Sequence, residues 1–295
     1  MTEVSTMNES PITSVAQDYD AQASNQATSL LPPILHLNLR GVKLDLDRET
    51  LVNLPESILI VMFPNGVLLS KPPSSENEGE HEQDLSNLEL GTADDHIIYV
   101  DFSSELLEYI LNFYQILHNS DPSHDLDLSH LFGIPSGPHS PFYGKKAFII
   151  LREELDYFPI TEKQHPLLKT KCGEYLLDCS NIFDPFERNI HGGNNQAERQ
   201  LVDMLCVSGF HREDQWGYRG IEPNRSTLVS ISLVQLEANT KAIQSGVTQK
   251  LLLFWRKPAR KCWWDIEEIK IQQQDQPSLV RLWSRRIWTL ELALL

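Results

Sequence analysis

Apolar and polar residues alternate over residues 34–46, which read ILHLNL, then Arg40-Gly41, then VKLDL. A period of two is typical of a strand with one buried face, and the Arg-Gly pair supplies a turn. The pattern therefore predicts an antiparallel hairpin. Two short helices are predicted after it, one ending near Leu54 and one with Pro55 in its first turn, where a missing N–H is tolerated.

The next periodic segments are HIIYVDF, which predicts a strand, and SSELLEYILNFYQIL, which predicts a helix. In that helix apolar residues recur at helical spacing behind a serine that suits an N-cap, and Glu105 complements the helix dipole. The segment KKAFIILREELDYFPI also carries apolar residues at helical spacing. We therefore predict a further helix there, which closes a first domain at Pro159.

A second unit is predicted near the C-terminus. The segment QAERQLVDMLCVSGF places Leu201, Met204 and Leu205 on one helical face and ends at Gly209, as a helix with a glycine C-cap would. Four later segments, STLVSISLVQLE, QKLLLFW, WWDIEEIKI and WTLELALL, have the patterns of strands. Helix plus a mostly antiparallel sheet, an α+β class, is the prediction.

Polar and acidic stretches divide the chain into parts. Residues 1–33 have too little apolar content to order themselves, and we predict a disordered tail. Residues 70–95 are rich in carboxylates and are predicted to be a solvated insertion in the first domain. That domain is predicted over 34–160, followed by a linker or lid over 161–195 and a C-terminal α+β domain over 196–295.

The charge balance restricts the partners. The chain has 41 Asp and Glu against 25 Lys and Arg, a formal net charge of -16. Bulk attraction to nucleic acid or to an anionic membrane is therefore disfavoured. Four scattered cysteines indicate a reducing, intracellular compartment, and neither an export signal nor an apolar run of membrane-spanning length is apparent.

Catalytic motifs are scarce in the sequence. It contains no GxSxG elbow, no phosphate-binding GxxxxGK[ST], no GxGxxG after a strand and no HExxH. Cys172 and Cys179 have no close Cys or His pair that would complete a zinc site. We expect no enzyme, no cofactor and no metal, and a hydrolase using the region from Cys172 to His191 is the alternative from another class.

One basic and aromatic patch is conspicuous in the segment FWRKPARKCWWD. Cationic groups beside indole rings suit a carboxylate, a phosphate or an acidic peptide, and they are also typical of single-strand nucleic-acid binding. The alternative is a hairpin tip whose tryptophans pack into the sheet and whose charges face water. A second cluster, Arg281, Arg285 and Arg286 with Trp283, either lies alongside or is a solvated helix face. The candidate partner-binding residues are Arg256, Lys257, Arg260, Lys261, Trp263 and Trp264.

The N-terminal motifs resemble the BTB/POZ fold of the potassium-channel tetramerisation type. The resemblance covers residues 34–117 apart from the insertion, and Arg40 stands where that family often has a second glycine. It implies a domain for self-association or partner docking rather than catalysis. The residues that carry it are Gly41, Thr50, Leu51, Pro55, Ser57, Met62, Phe63, Asp101, Tyr109, Leu111, Asn112 and Phe113.

The C-terminal motifs, including GFHREDQWGYRGIEPNRSTLVSISLV and RRIWTLELALL, look like those of the fungal Whi-type growth-regulation proteins. That resemblance implies a non-enzymatic adaptor that binds and activates or localises a membrane-tethered protein phosphatase of the haloacid-dehalogenase type. The setting it implies is the general stress response and the restraint of target-of-rapamycin signalling at low amino acids. Magnesium and the catalytic aspartates would belong to the phosphatase.

The expected partners follow from the same resemblance. They are a protein phosphatase and, through the BTB domain, a second copy of the chain; nucleic acid is not expected, and a membrane only through the phosphatase. A cytoplasmic location is expected, with nuclear presence left open. The alternative function is a BTB substrate adaptor of a cullin-type ubiquitin ligase.

Overall fold

The computed structural model describes residues 31–66, 97–120, 144–161, 166–186, 196–236, 258–273 and 276–295. The predicted acidic insertion, the strand predicted in QKLLLFW and all but the last three residues of the predicted tail lie outside the described residues. The elements are β1 (Ile34–Leu39), β2 (Val42–Asp47), α1 (Arg48–Val52), α2 (Glu56–Met62), β3 (Ile97–Val100), α3 (Ser104–Asn119), β4 (Ala147–Ile160), α4 (Pro166–Asp178), α5 (Gln196–Val207), β5 (Tyr218–Ile221), β6 (Thr227–Gln235), β7 (Ala259–Gln273) and β8 (Gln276–Leu294).

The elements β1 to β3 and α1 to α3 form an N-terminal unit. Its sheet has the order β2-β1-β3, with β1 and β2 antiparallel and β1 and β3 parallel. The predicted hairpin with its turn at Arg40-Gly41 is thereby confirmed. The predicted serine cap of α3 is confirmed as well, because the Leu106 N–H donates to Ser103 Oγ at 3.2 Å.

The remaining strands form a five-stranded sheet in the order β5-β6-β4-β8-β7, in which every neighbouring pair is antiparallel. The α+β class with mostly antiparallel sheets is confirmed. The longest pairings join β4 to β8 and β8 to β7, so these three strands form a broad ribbon. The N-terminal half of β4 is fully covered on both faces.

The helix predicted over KKAFIILREELDYFPI is wrong, because residues 147–160 form β4, the central strand. A strand that is buried on both faces has a continuous apolar run instead of an alternation, and such a run is not distinguishable from a helix by period. The alternation appears only after Leu151, where Leu155 and Tyr157 are buried and Phe158 is exposed. These residues therefore pair with the C-terminal strands and not with the N-terminal sheet.

The stretch predicted to be a polar linker contains α4. Leu168, Cys172 and Leu176 follow one another at intervals of four residues and are buried against the sheet. Gly173 lies where an added Cβ would come within 2.4 Å of Tyr157 Oη, so this glycine permits the close approach of helix and strand. Its polar neighbours and the internal glycine obscured the helical pattern.

The two faces of the five-stranded sheet have different cover. Phe148 and Ile150 of β4 point toward the N-terminal unit and belong to its core. Ile149 and Leu151 point the other way, into a core with α5, and Leu155 lies farther along that side in a core with α4. The N-terminal unit thus covers one end of one face, and the two helices cover the opposite face.

Candidate partner-binding site

The predicted basic and aromatic patch is divided between the two faces of the sheet, because alternate residues of a strand point in opposite directions. Lys261 and Trp263 of β7 point toward α5, whereas Arg260 and Trp264 point to the other face. Arg256 and Lys257 lie outside the described residues. A run of neighbours in sequence is therefore not one surface in space.

Lys261 and Trp263 belong to the packing of the covered face. Lys261 Nζ donates to Glu198 Oε1 at 2.9 Å and lies 5.0 Å from the ring centroid of Phe186. The Trp263 ring is 5.1 Å from that of Phe186 and 5.8 Å from that of Trp288. The alternative in which a tryptophan packs into the sheet thus describes Trp263, whereas Trp264 is 64% exposed.

Among the described residues, none covers the face that carries Trp264 beyond the N-terminal unit, and we call this part the open face. The strand register places Trp264 opposite Arg285, and Ile266 opposite Trp283, which in turn lies opposite Phe158. Three strands therefore contribute to one surface. The open face consists of Arg260, Cys262, Trp264, Ile266, Glu268 and Lys270 on β7, Leu279, Arg281, Trp283 and Arg285 on β8, and Asp156, Phe158 and Ile160 on β4, with Glu268 directly opposite Arg281.

The open face is unusually apolar for an exposed surface. Trp264, Leu279, Ile266, Phe158 and Ile160 are between 64% and 47% exposed. Contiguous apolar groups of this kind, bordered by charges, mark interaction sites more often than they occur by chance. Sequence reasoning missed the aliphatic members and Phe158, since they come from separate segments and only the strand register brings them together.

Arginines border these apolar groups. Arg285 already has an ion-pair partner, because its Nε donates to Asp156 Oδ2 at 2.9 Å. Arg260 and Arg281 are exposed, and neither guanidinium has a hydrogen-bond or ion-pair partner within the described ranges. Two guanidinium groups beside aromatic rings are well suited to carboxylates of a partner.

Arg286 of the predicted second cluster lies on the opposite face and is buried. Glu153, which is fully buried, accepts from Arg219 Nη1 at 2.7 Å and from Arg286 Nη1 and Trp288 Nε1, each at 2.9 Å. Burial opposes the ionisation of Glu153, but the two guanidinium groups outweigh it and lower the pKa of this carboxyl to about 2. This cluster holds the strands together and is inaccessible to a partner.

Several of the BTB-like motif residues contact the five-stranded sheet. Ser57 N donates to Glu291 Oε2 at 3.1 Å, the Ser57 hydroxyl bonds the same carboxylate, and Glu56 N donates to Oε1 at 2.9 Å. The hydroxyl of Tyr109 lies so close to Gly217 that a Cβ there would be 2.0 Å away. These motif positions fix the N-terminal unit on the sheet and so determine where its cover ends.

At the β1–β2 turn, a charged cluster around Arg40 joins the N-terminal unit to the five-stranded sheet. Arg40 has a φ of 51°, in the left-handed region, which is consistent with glycine being common at this place. Its Nε donates to Asp101 Oδ1 at 2.7 Å and its Nη2 bonds Glu222 of the β5–β6 turn. The cluster forms one side of a cleft of about 570 Å3, which Arg152 and Glu154 of β4 also line.

Of the residues in the hydrolase alternative, Cys172 lies in an environment unfavourable for a nucleophile. Cys172 is buried, and burial raises the pKa of its thiol to about 11, which disfavours the thiolate. His191 lies outside the described residues. Within the described ranges no group of three His, Cys, Asp or Glu side chains is positioned to hold a metal ion.

Comparison with known proteins identifies the family. A WHI2-like protein of Schizosaccharomyces pombe is 35% identical over 285 residues, which cover 90% of this chain and 88% of that protein. The chain belongs to the WHI2-like family. The resemblance to Whi-type proteins is confirmed at this level, and the assignment covers both units because the alignment spans nine-tenths of the chain.

Two further relatives align over similar spans at lower identity. A growth regulation protein of Saccharomyces cerevisiae is 22% identical, covering 89% of this chain and 91% of its own. An uncharacterized protein of Schizosaccharomyces pombe is 26% identical, covering 90% and 88%. No family model matches this WHI2-like chain, and no solved structure gives a significant match. Among the described helices, none combines the length and the apolar content needed to cross a membrane.

Proposed function

We propose that this WHI2-like chain is a growth- and stress-regulatory adaptor that binds a protein phosphatase through the open face. The phosphatase is of the haloacid-dehalogenase type and is tethered to a membrane, and the adaptor activates or localises it without catalysis of its own. The setting is the general stress response and the restraint of target-of-rapamycin signalling at low amino acids. The regulatory part is supported by the names of the relatives, WHI2-like and growth regulation protein.

The observation that carries the proposal is the composition of the open face. In a chain of net charge -16, two guanidinium groups that have no partner among the described residues border five exposed apolar side chains on one sheet surface. Aromatic and arginine side chains contribute most to protein interfaces, and a local positive patch directs the approach of an acidic partner. The matching partner surface is acidic at its edges and apolar at its centre.

An adaptor of this kind acts by position. Holding the phosphatase near its substrates raises their effective concentration without any new chemistry. The N-terminal unit has the BTB/POZ fold in this proposal, and its role is to bind further proteins or a second copy. Support for that fold comes from the confirmed hairpin and from α3, on which the motif residue Tyr109 contacts Gly217 of the sheet.

The test is affinity purification of the full-length chain from its own cells, followed by binding of the purified phosphatase. The full chain is required because a cut near residue 162 would separate β4 from β6 and β8. The variant Arg281→Glu/Phe158→Ala changes the open face only. The matched control, Lys169→Glu/Leu167→Ala, changes one exposed basic and one exposed apolar residue on α4, at the opposite face.

We expect the open-face variant to lose at least about tenfold in affinity for the phosphatase, since it removes an aromatic anchor and reverses a charge. The control should bind as the wild type does. Equal binding by both variants would contradict the assignment of the open face. Recovery of a cullin and ubiquitin machinery without any phosphatase would instead favour the ligase-adaptor function.

A further inference from the structure

The strand β7 lies at the edge of the five-stranded sheet. Over Ala259–Gln273 it pairs with β8, and within the part of the chain that the structure describes it has no strand on its other side. An edge strand presents backbone N–H and C=O groups that can pair with another strand. At 15 residues β7 is long for an edge, and Trp264 and Ile266 on it are exposed.

The side chains of β7 are complementary to themselves when the strand is reversed. Basic residues occupy positions 260 and 261, acidic residues occupy 267 and 268, and Trp264 lies midway between the two groups. We propose that β7 pairs antiparallel with β7 of a second copy of this chain about a two-fold axis at Trp264. The ten strands then form one continuous sheet, and the contact is closed and symmetric.

In this register Arg260 and Lys261 each face an acidic residue, and Lys270 lies opposite Pro258. Arg260 lies opposite Glu268 of the second copy, Lys261 lies opposite Glu267, and the symmetry repeats both pairs. Opposite charges directly across a strand pair stabilise the pairing. The two Trp264 side chains face each other at the centre, which removes part of their exposed area from water.

The neighbouring registers match fewer charges. A two-fold axis perpendicular to the sheet keeps the two open faces on one side, so only residues of equal parity come opposite each other. Centring on Asp265 would place Arg260 opposite Lys270 and Asp265 opposite itself. Centring on Trp263 would place Lys261 opposite Asp265 but Arg260 opposite Ile266, so it gives only one distinct pair of opposite charge. The register centred on Trp264 alone among these gives two distinct pairs of opposite charge without a like pair.

The pair on the open face, Arg260 and Glu268, is available in the single chain. Arg260 and Glu268 are exposed, and neither has a partner among the residues that the structure describes. Lys261 bonds Glu198, but an ammonium group has three donors and can serve a second carboxylate. The Arg260–Glu268 pairs can therefore form without breaking a contact among the described residues, whereas Glu267 has an interaction of its own within the chain. The pairing joins the two open faces into one doubled surface.

The experiment is sedimentation equilibrium of the purified full-length chain with two charge reversals, Arg260→Glu and Glu268→Arg. Each single reversal turns both symmetry-related Arg–Glu pairs into repulsive ones, so we expect the dimer dissociation constant to rise about tenfold or more. An equimolar mixture of the two variants should regain the wild-type constant, because every such pair in the mixed dimer again has opposite charges. Lys169→Glu, on α4, is the control and should change nothing.

Three results would overturn the proposal. They are a wild-type chain that stays monomeric through the micromolar range, a dimer that both reversals leave unchanged, and a mixture that fails to regain affinity. A dimer that survives both reversals would point to another surface, such as the N-terminal unit. No phosphatase is present in this measurement, so its outcome is independent of the proposed adaptor function.

A cross-link provides a second readout that does not depend on affinity. The register places Ile266 opposite Cys262 of the second copy, and Cys262 is an exposed free cysteine. The variant Ile266→Cys should therefore form a covalent dimer on mild oxidation, because directly opposed residues have Cβ atoms near the spacing of a disulfide. Adding Cys262→Ser should abolish that dimer. Absence of the covalent dimer in Ile266→Cys would contradict the register.

Discussion

One face of the five-stranded sheet is buried at one end and exposed at the other, although the same strands form both ends. At one end the N-terminal unit covers Phe148 and Ile150, which are fully buried. At the other end the same strand carries Phe158 and Ile160, which are 51% and 47% exposed. Both ends are apolar, so hydrophobicity alone does not say which of them is core.

The polar groups distinguish the two ends. Under the N-terminal unit the Glu291 carboxylate is satisfied by two backbone N–H groups and a hydroxyl. On the open face Arg260 and Arg281 are without partners in the described ranges. Buried polar groups are almost always paired in a finished core, whereas unpaired charges beside apolar groups are typical of an interface that another molecule completes.

The largest expected difference comes from truncating the same residue type at each end. Phe148→Ala removes a ring that lies 5.6 Å from Phe113 and 5.5 Å from Tyr114, and we expect it to lower the free energy of unfolding by about 3–5 kcal/mol. Phe158→Ala should cost less than about 1 kcal/mol, because half of that side chain is already in water. Denaturant unfolding of the full chain measures both, and equal losses would refute the distinction between the two ends.

Prediction from the sequence was correct for elements with one buried face, and it was wrong or incomplete for β4 and the open face. The β1–β2 hairpin and the capped α3 were predictable because each has one buried face and local turn or cap chemistry. The strand β4 was not, since cover on both faces removes the period that identifies a strand. The open face was only partly predictable. Arg260 and Trp264 belong to it, whereas Lys261 and Trp263 point to the other face. Phe158 belongs to it because β4 pairs with β8, which places Phe158 opposite Trp283, 125 positions away in sequence.

Two carboxylates of β4, Glu153 and Asp156, allow the stability contributions of a buried and a partly exposed ion pair to be compared. Glu153→Gln leaves Arg219 and Arg286 buried without their counter-charge and should cost about 3–5 kcal/mol at neutral pH. Asp156→Asn removes the partner of the half-exposed Arg285 and should cost less than about 1 kcal/mol.

The pH dependence of the first substitution has a definite sign. The pKa of Glu153 is lowered to about 2 in the folded chain, so its stabilisation is present above its ordinary value of 4.5 and is lost as the pH falls toward 2. The difference between wild type and Glu153→Gln should therefore shrink on acidification through this range. A difference that is constant with pH would contradict the ionic role of Glu153.

The boundary between the covered and the open end can be disturbed directly. Gly217→Ala places a Cβ 2.0 Å from Tyr109 Oη, and the resulting strain at the N-terminal unit should cost about 1–3 kcal/mol. The double variant Tyr109→Ala/Gly217→Ala removes the clash. Its stability loss should be smaller than the sum of the two single losses, as a double-mutant cycle measures. Strict additivity would show that this contact does not hold the N-terminal unit in place.

The smallest expected effect is a change with pH in the free energy of unfolding, which comes from the carboxylate of Glu291 at the covered end. Burial, opposed by the hydrogen bonds from Ser57 and Glu56, raises the pKa of Glu291 above its ordinary value of 4.5. A raised pKa means that the folded chain binds the proton more tightly, so this contribution to stability is complete below pH 4.5 and declines as the pH rises through the raised pKa.

The variant Glu291→Gln has no such proton to lose, and its stability should therefore improve relative to the wild type as the pH rises through that window. Unfolding free energies of the two proteins at a series of pH values measure this difference. A Glu291→Gln difference that stays constant with pH would contradict the burial of this carboxylate under the N-terminal unit.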